Sequence, residues 1–170
     1  MKSFFKKPFC IVIICILCFS FIVVMPMIKN NIALSNFSNQ LNNSIPDQSI
    51  LIESQNICGH LSGNNQGTEF LSVILLESSL SLEEIQTYYQ TLTFSIARPD
   101  RIGFADSDGI VELLIYSADT STFTLPYPIG TRFYHIDFEK FPSDTSPSSH
   151  LYYIAIYDGK YFGIYDLRSL

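Results

Sequence analysis

Thr68–Glu77 reads TEFLSVILLE, and this stretch decides the fold. Its apolar residues run almost continuously from Phe70 to Leu76, which is typical of a strand buried on both faces. The run Ser49–Leu61 precedes it, and the two are separated by glycine, asparagine and serine residues that tolerate positive φ. The pattern predicts an antiparallel hairpin.

The clearest helix signal follows this strand. Ser81 and Glu84 have the spacing of a capping box, in which each side chain hydrogen-bonds the backbone N–H of the other residue. An apolar face then continues along one side of the helix through Leu82, Ile85, Tyr88, Tyr89 and Leu92. This face predicts that the helix packs on the sheet.

The C-terminal half of the chain is rich in strand signals. Apolar and aromatic runs predict strands at Ile110–Ser117, Thr131–Phe141, Leu151–Tyr157 and Lys160–Asp166. Asp158-Gly159 predicts a two-residue type I′ turn, which would pair Ala155 with Phe162. The sequence therefore predicts an α+β domain over residues 49–170, with one helix packed on a mostly antiparallel sheet of about five or six strands.

The N-terminal segment Phe9–Ile28 is apolar and contains no charged residue. A helix of this length spans about 30 Å, the thickness of the hydrocarbon core of a bilayer. Three lysines precede the segment and Lys29 follows it, so the positive-inside rule places the N-terminus in the cytoplasm and the domain outside. We expect a cytoplasmic tail (residues 1–8), a lipid-contacting transmembrane helix (9–28) and a continuous helix over roughly Phe5–Lys29.

Two alternatives to a single-pass signal-anchor in the cell membrane fit the segment less well. A cleaved signal peptide has a shorter apolar region that ends at small residues, whereas the nearest such pattern, Ala33-Leu34-Ser35, lies beyond this run. Prepilin-type proteins also join an N-terminal helix to a small α+β domain. They need a small residue before the mature phenylalanine and a glutamate four residues after it, and both are missing here.

Residues 29–48 separate the apolar segment from the first strand. They are rich in asparagine, serine and glutamine, and such a composition buries too little apolar surface to offset the entropy lost on ordering. We expect a linker or a frayed extension of the helix.

Charge is distributed unevenly along the chain. Residues 30–170 contain six basic and sixteen acidic residues, a net charge of −10. A domain this acidic repels phosphate backbones, which argues against nucleic acid as a partner. A basic partner or calcium remains compatible with this charge.

The four cysteines do not form a disulfide framework. Cys10, Cys15 and Cys18 lie in the apolar segment, which leaves Cys58 alone in the domain. We interpret Cys58 as a small buried apolar residue, since a thiol-based sensor would require an exposed sulfur.

The glycine-containing turn Gly59–Gly67 lacks the lysine and the following helix of a phosphate-binding loop, and we interpret it as a hairpin turn. The Asp106–Gly109 segment lacks the terminal carboxylates of an EF-hand. No nucleophile elbow or zinc motif is present. We therefore predict no catalytic, metal-binding or cofactor-binding residue. The alternative hypothesis is a small enzyme or metal-dependent site built on Asp106, Asp108, Glu112, His135 and Asp137, the last two sharing a strand face.

One part of the sequence resembles a known group of proteins. The first motif is Ile57-Cys58-Gly59-x-Leu61-x-Gly63-Asn64, followed by Gly67, and the second is Leu80-Ser81-x-Glu83-Glu84 through Tyr88-Tyr89. Both are similar to motifs in small membrane-anchored proteins of low-GC Gram-positive bacteria. In that group the turn reads Gly-Asn-Gly-Asn-Gly, whereas Asn65 and Gln66 occupy its middle here. The resemblance implies a shared fold and membrane location and assigns no activity. Separately, the lack of a catalytic motif, the anchor and the acidic, tyrosine-rich sheet favour a non-enzymatic module that binds a protein or peptide at the cell surface.

Overall fold

The structure is a computed structural model that describes residues 6–61, 68–96, 111–129, 132–143 and 148–159. Along the chain its elements are α1 (Lys6–Asn42), β1 (Ser49–Gly59), β2 (Glu69–Ser78), α2 (Leu82–Gln90), β3 (Glu112–Ser117), β4 (Thr122–Ile129), β5 (Arg132–Asp137) and β6 (His150–Asp158). The predicted α+β class is confirmed. The six described strands form two sheets rather than the single sheet that we expected.

Strands β2 and β6 form the centre of the main sheet, whose order is β1-β2-β6-β3 with every neighbouring pair antiparallel. All residues of β2 except Glu77 are buried, and β6 is buried from Tyr152 to Asp158. The predicted β1–β2 pairing and the burial of β2 on both faces are therefore confirmed. The turn residues 62–67 lie outside the described residues.

Two layers cover the two faces of the main sheet. Helices α1 and α2 pack on one face, where Ile74 and Ile154 contribute to the core. The two-stranded sheet β4–β5 covers the other face, where Val73 and Ala155 contribute. Because side chains alternate along a strand, neighbouring residues of β2 and β6 contact different layers.

Helix α1 is longer than the sequence predicted. It continues without interruption from Lys6 to Asn42, across Pro26, whereas we expected it to end near Lys29. Its described side chains between Ile11 and Val24 are exposed and mostly apolar. Within the described residues it is the one helix long and apolar enough to cross a membrane.

We expected a linker or a frayed helical extension at residues 29–48. Residues 29–42 are instead the ordered end of α1, and this part of the helix belongs to the core of the domain. The buried residues on this part of the helix are Asn30, Ala33, Leu34, Phe37, Ser38 and Leu41. Spacings of three and four place them on one helical face. Asparagine and serine take part in this face, and they hide its periodicity from an analysis based on apolar residues alone.

Polar contacts fix the position of α1 on the sheet. Ser38 Oγ accepts hydrogen bonds from the side-chain amides of Asn42 (3.3 Å) and Asn56 (3.4 Å). The Gln40 side chain forms two hydrogen bonds with the backbone of Ser95: Nε2 donates to the carbonyl (2.6 Å) and Oε1 accepts from the N–H (3.0 Å). These bonds connect α1 to β1 and to the segment after α2.

Helix α2 begins as predicted. Ser81 is its N-cap, and the Ser81 side chain accepts from the Glu84 N–H (3.3 Å) while Glu84 Oε2 accepts from the Ser81 N–H (2.8 Å). Ile85 and Tyr89 are buried against the main sheet. The other residues of the predicted face are partly buried against the same core: Leu82, Tyr88 and Leu92.

The predicted hairpin of β6 with Lys160–Asp166 is wrong in its register. Ala155 pairs with Val73 of β2 on one side and with Leu114 of β3 on the other. Neither edge of β6 is left for Phe162, because both are occupied by strands distant in sequence. Residues 160–166 themselves lie outside the described residues.

The type I′ turn at Asp158-Gly159 is also wrong. Asp158 extends β6 opposite Phe70. Such a turn requires positive φ at its first central residue, and among the described non-glycine residues positive φ occurs at Gln48 alone.

Strand β4 was missed in the sequence. It contains Pro126 and Pro128, which cannot donate to a backbone ladder, and its pairing with β5 is irregular between Thr124 and Pro128. Among the described strands β4 pairs with β5 only, so its other side needs no backbone donors and both prolines are tolerated.

We expect Ser81→Ala to lower the free energy of unfolding by about 0.5–2 kcal/mol, because the first turn of α2 loses its cap. The cap also lowers the pKa of Glu84 through the Ser81 side-chain and backbone hydrogen bonds. The electrostatic contribution of the cap to stability is thus present when the pH is above the ordinary pKa of a glutamate. It declines as the pH falls through the lowered pKa of Glu84. Chemical denaturation of the full-length protein in detergent at several pH values, with the exposed Thr93→Ala as control, measures both effects. Equal stability of the two variants at neutral pH would contradict the cap.

Phe37→Ala should lower the free energy of unfolding by about 3–5 kcal/mol, because the Phe37 ring is fully buried between α1 and the sheet. The matched control is Asn36→Ala, one residue away on the exposed side of the same helix. Denaturation curves of the two variants in detergent test whether α1 is part of the core. A linker would give two similar, small effects.

Candidate functional site beside the outer sheet

The sheet β4–β5 has one buried and one exposed face. Phe123 and Leu125 of β4 point toward the main sheet and are buried. Tyr134 and Ile136 of β5 pack on the same core. The alternate residues of both strands therefore face outward.

Two cross-strand pairs of polar residues lie on the exposed face. Thr122 is opposite Asp137, and its hydroxyl donates to the Asp137 carboxylate over 2.6 Å. Thr124 is opposite His135, and its Oγ1 lies 2.9 Å from Nδ1 of the imidazole. Both titratable side chains thus have a threonine partner, and these pairs fix the register of the two strands.

An open groove of about 500 Å³ runs along β4. Its lining comes mainly from the end of β3, the connection to β4, and β4 itself: Tyr116, Ser117, Asp119, Thr120, Thr122, Phe123, Thr124, Pro126, Phe133 and Tyr153. Tyr116 is 40% exposed and Phe133 is 47% exposed, although both are large aromatic residues. A concave, mostly apolar surface with a few polar groups is typical of a binding site.

Contacting aromatic rings support the inner wall of this groove. The Phe123 ring packs edge-to-face on Tyr153, with centroids 5.6 Å apart, and lies 6.3 Å from the Tyr116 ring. On its other side the Tyr153 ring contacts Phe138 at 5.1 Å. Tyr116 is therefore presented by a wall that is already packed.

Tyr153 also holds the connection between β3 and β4. Its hydroxyl donates to the Thr120 carbonyl over 2.6 Å. Burial, together with the nearby carboxylates of Asp137 and Glu53, raises the pKa of Tyr153 to about 12. The phenol is therefore neutral at physiological pH and remains a hydrogen-bond donor.

The charge of the groove is negative. Its described lining contains one carboxylate, that of Asp119, and no basic side chain. A second carboxylate, that of Asp137, accepts from the lining residue Thr122. A cation in the groove would meet favourable electrostatics.

The five residues of the alternative catalytic or metal site are not brought together where the structure describes them. Glu112 lies on β3 and accepts a hydrogen bond from the Tyr127 hydroxyl, whereas His135 and Asp137 lie on the exposed face of β5. Asp106 and Asp108 lie outside the described residues. No group of three or more histidine, cysteine or acidic side chains within the described ranges has the geometry to hold a metal ion.

A tyrosine–carboxylate cluster lies where β1 ends and β2 begins. The Tyr127 and Tyr157 rings stack at 5.1 Å, and the Tyr157 hydroxyl donates to Glu69 over 2.9 Å. The second oxygen of Glu69 accepts from the Leu61 backbone N–H. Glu69 thus hydrogen-bonds the backbone at the start of the glycine-containing turn.

The remaining titratable candidates lie apart from the groove. Cys58 is buried in the core between the helices and the main sheet, as predicted, so its sulfur does not meet the exposure that a sensor requires. His60 follows the end of β1 and His150 begins β6, at opposite ends of the main sheet.

The groove residues Tyr116 and Phe133 were missed in the sequence. The alternation of residues in TFTLPY (122–127) was the available signal for β4, since its apolar side chains occupy every second position. Without β4 the groove has no second wall. Comparisons with protein families, with curated proteins and with solved structures found no match.

Proposed function

We propose that the chain is a single-pass membrane protein whose residues 9–28 contact lipid, with a cytoplasmic N-terminus and the domain outside. The support is the described side chains of α1 between Ile11 and Val24, which are exposed and mostly apolar, and the lysines that precede this segment. The resemblance to membrane-anchored proteins of Gram-positive bacteria stays a prediction that agrees with this topology.

We further propose that the domain is a non-enzymatic binding module and that the groove along β4 binds a peptide segment of a protein partner. The observation that carries this proposal is the exposure of Tyr116 and Phe133 on the walls of one groove. Large, rigid aromatic side chains contribute much of the binding energy at protein interfaces.

The partner segment is inferred to be basic as well as apolar. Asp119 supplies a carboxylate on the groove, and the domain as a whole carries a large negative charge. Lysine or arginine side chains next to an aromatic residue would satisfy both features, since the carboxylate attracts the cation while Tyr116 and Phe133 bury the apolar side chain.

The enzymatic alternative receives less support. Glu112 is engaged by Tyr127, and His135 and Asp137 are each paired with a threonine on an open sheet face. None of these three residues belongs to the described lining of the groove. A catalytic site needs its groups to converge on one reacting atom.

Protease treatment of intact cells tests the topology. We expect added protease to degrade the domain while a cytoplasmic control protein stays intact. Protection of the domain until the membrane is permeabilised would reverse the orientation, and release of the intact protein by alkaline carbonate would contradict the membrane anchor.

Binding to the groove is tested with the full-length protein in nanodiscs and a fluorescent peptide that alternates lysine and phenylalanine. We expect Phe133→Ala to weaken binding by at least about tenfold, because an aromatic anchor is lost. Asp119→Asn should weaken binding and reduce its salt dependence. The control Ile50→Ala removes an exposed apolar side chain outside the described groove lining and should leave affinity unchanged.

A second peptide, with glutamate in place of lysine, tests the inferred charge. We expect it to bind much more weakly than the lysine peptide. Equal binding of the two peptides, or equal effects of Phe133→Ala and Ile50→Ala, would contradict the proposed role of the groove.

A further inference from the structure

The domain begins to cover α1 before the predicted membrane span has ended. Side chains up to Val24 are exposed where described, but Met25 to Met27 are half-buried and Asn30 is buried. On the uncovered side of the helix, exposed apolar residues continue past Lys29 to Ile32, which is 57% exposed. The part of α1 suited to lipid and the part covered by the domain therefore overlap.

The end of β1 is nearly level with Lys29. Helix α1 and strand β1 run in opposite directions, and Ser38 hydrogen-bonds Asn56. From Asn56 to Gly59 the strand rises about 10 Å, which equals about seven residues of helix. Counting back from Ser38 places Gly59 level with Asn31, within about one helical turn of Lys29.

The same end of the main sheet contains the start of β2, the end of β6 and the start of β3. Glu69 pairs with Gly59, Asp158 with Phe70, and Glu112 with Tyr157. We call this end of the strands the proximal edge, defined by Gly59, Glu69, Glu112 and Asp158. The opposite end of the same strands is the distal edge.

Among the described residues, the exposed acidic side chains lie away from the proximal edge. At the proximal edge Glu69 and Asp158 are buried, and Glu112 is half-buried and hydrogen-bonded to Tyr127. The exposed acidic residues in the described ranges all lie toward the distal edge: Asp47, Glu83, Glu84, Asp119, Asp137 and Glu139. A surface against anionic headgroups requires this arrangement, since exposed carboxylates there would be repelled.

We propose that the proximal edge rests in the headgroup layer of the bilayer, held there by the uninterrupted helix α1, and that the distal edge faces away from the membrane. This inference rests on the proposed membrane anchor. The headgroup layer on each side of a bilayer is about 5–7 Å thick, and the level of Gly59, about 3 Å along the helix from Lys29, falls within it. Tyr116 and Asp119 then lie on the side of the domain that an external partner reaches first.

Single tryptophans can measure this orientation, because the chain contains none. Val111→Trp places a reporter just before β3 at the proximal edge, and Tyr116→Trp places one near the distal end of the same strand. The two positions are about 16 Å apart. Full-length variants are reconstituted into phosphatidylcholine–phosphatidylglycerol vesicles that contain a lipid with a nitroxide-labelled headgroup.

We expect the nitroxide to quench the Val111→Trp fluorescence several-fold more strongly than the Tyr116→Trp fluorescence. His60→Trp, at the same edge, is a second proximal reporter if Val111→Trp fails to fold by circular dichroism. Equal quenching at both edges, or stronger quenching at Tyr116→Trp, overturns the inference. Flotation of the same vesicles separates the two proposals, since protein that does not float refutes the anchor itself, whereas floating protein with equal quenching refutes only the orientation.

A flexible Gly-Ser segment inserted between Lys29 and Asn30 tests the role of the helix. The anchor and the buried part of α1 are both retained in this variant. We expect the quenching of Val111→Trp to fall toward that of Tyr116→Trp. Unchanged quenching would overturn the inference that the rigid helix holds the domain at the surface.

Discussion

The pairing of β2 with β6 is the constraint on which the rest of the structure depends. Both strands are apolar on both faces, so the sheet that they form must be covered twice to keep this surface from water. The end of α1 together with α2 covers one face, and β4–β5 covers the other. The helix whose first half is long and apolar enough to span a membrane is thus also a core helix, and the groove lies where the second cover meets the edge of β3.

The sequence predicted those elements whose signal is local. The apolar run of β2 and the capping box of Ser81 are each encoded within a few residues. The predicted partner of Ala155 was wrong because a turn signal next to β6 says nothing about strands distant in sequence, and both edges of β6 are occupied by β2 and β3. Strand competition of this kind is a tertiary property that a local pattern does not contain.

The candidate groove was beyond prediction for a similar reason. Tyr116 and Phe133 are 17 positions apart in sequence, and they line one groove because the outer sheet packs across the edge of the main one. Their exposure is a property of that packing and is not encoded in the residue types themselves. The sequence supplied the residue types and the acidic charge, and the fold supplied their convergence.

The polar residues on the buried face of α1 resolve a conflict between the two roles of this helix. With 37 residues α1 is about 55 Å long, far longer than the 30 Å core of a bilayer. If its core-facing residues were all aliphatic, the apolar segment would extend past residue 40 and the boundary of the membrane span would be undefined. Asn30, Ser38 and Asn42 oppose entry into lipid, where polar groups lack partners. In the domain, Ser38 accepts hydrogen bonds from Asn56 and Asn42. Ser54 and Ser72 on the facing strands have buried hydroxyls without a hydrogen bond to the described residues, and the Asn42 side-chain oxygen lacks one as well. These buried hydroxyls reduce the stability of the helix–sheet contact. With α1 inserted as we propose, the polar face sets the residue at which the helix passes from lipid to protein.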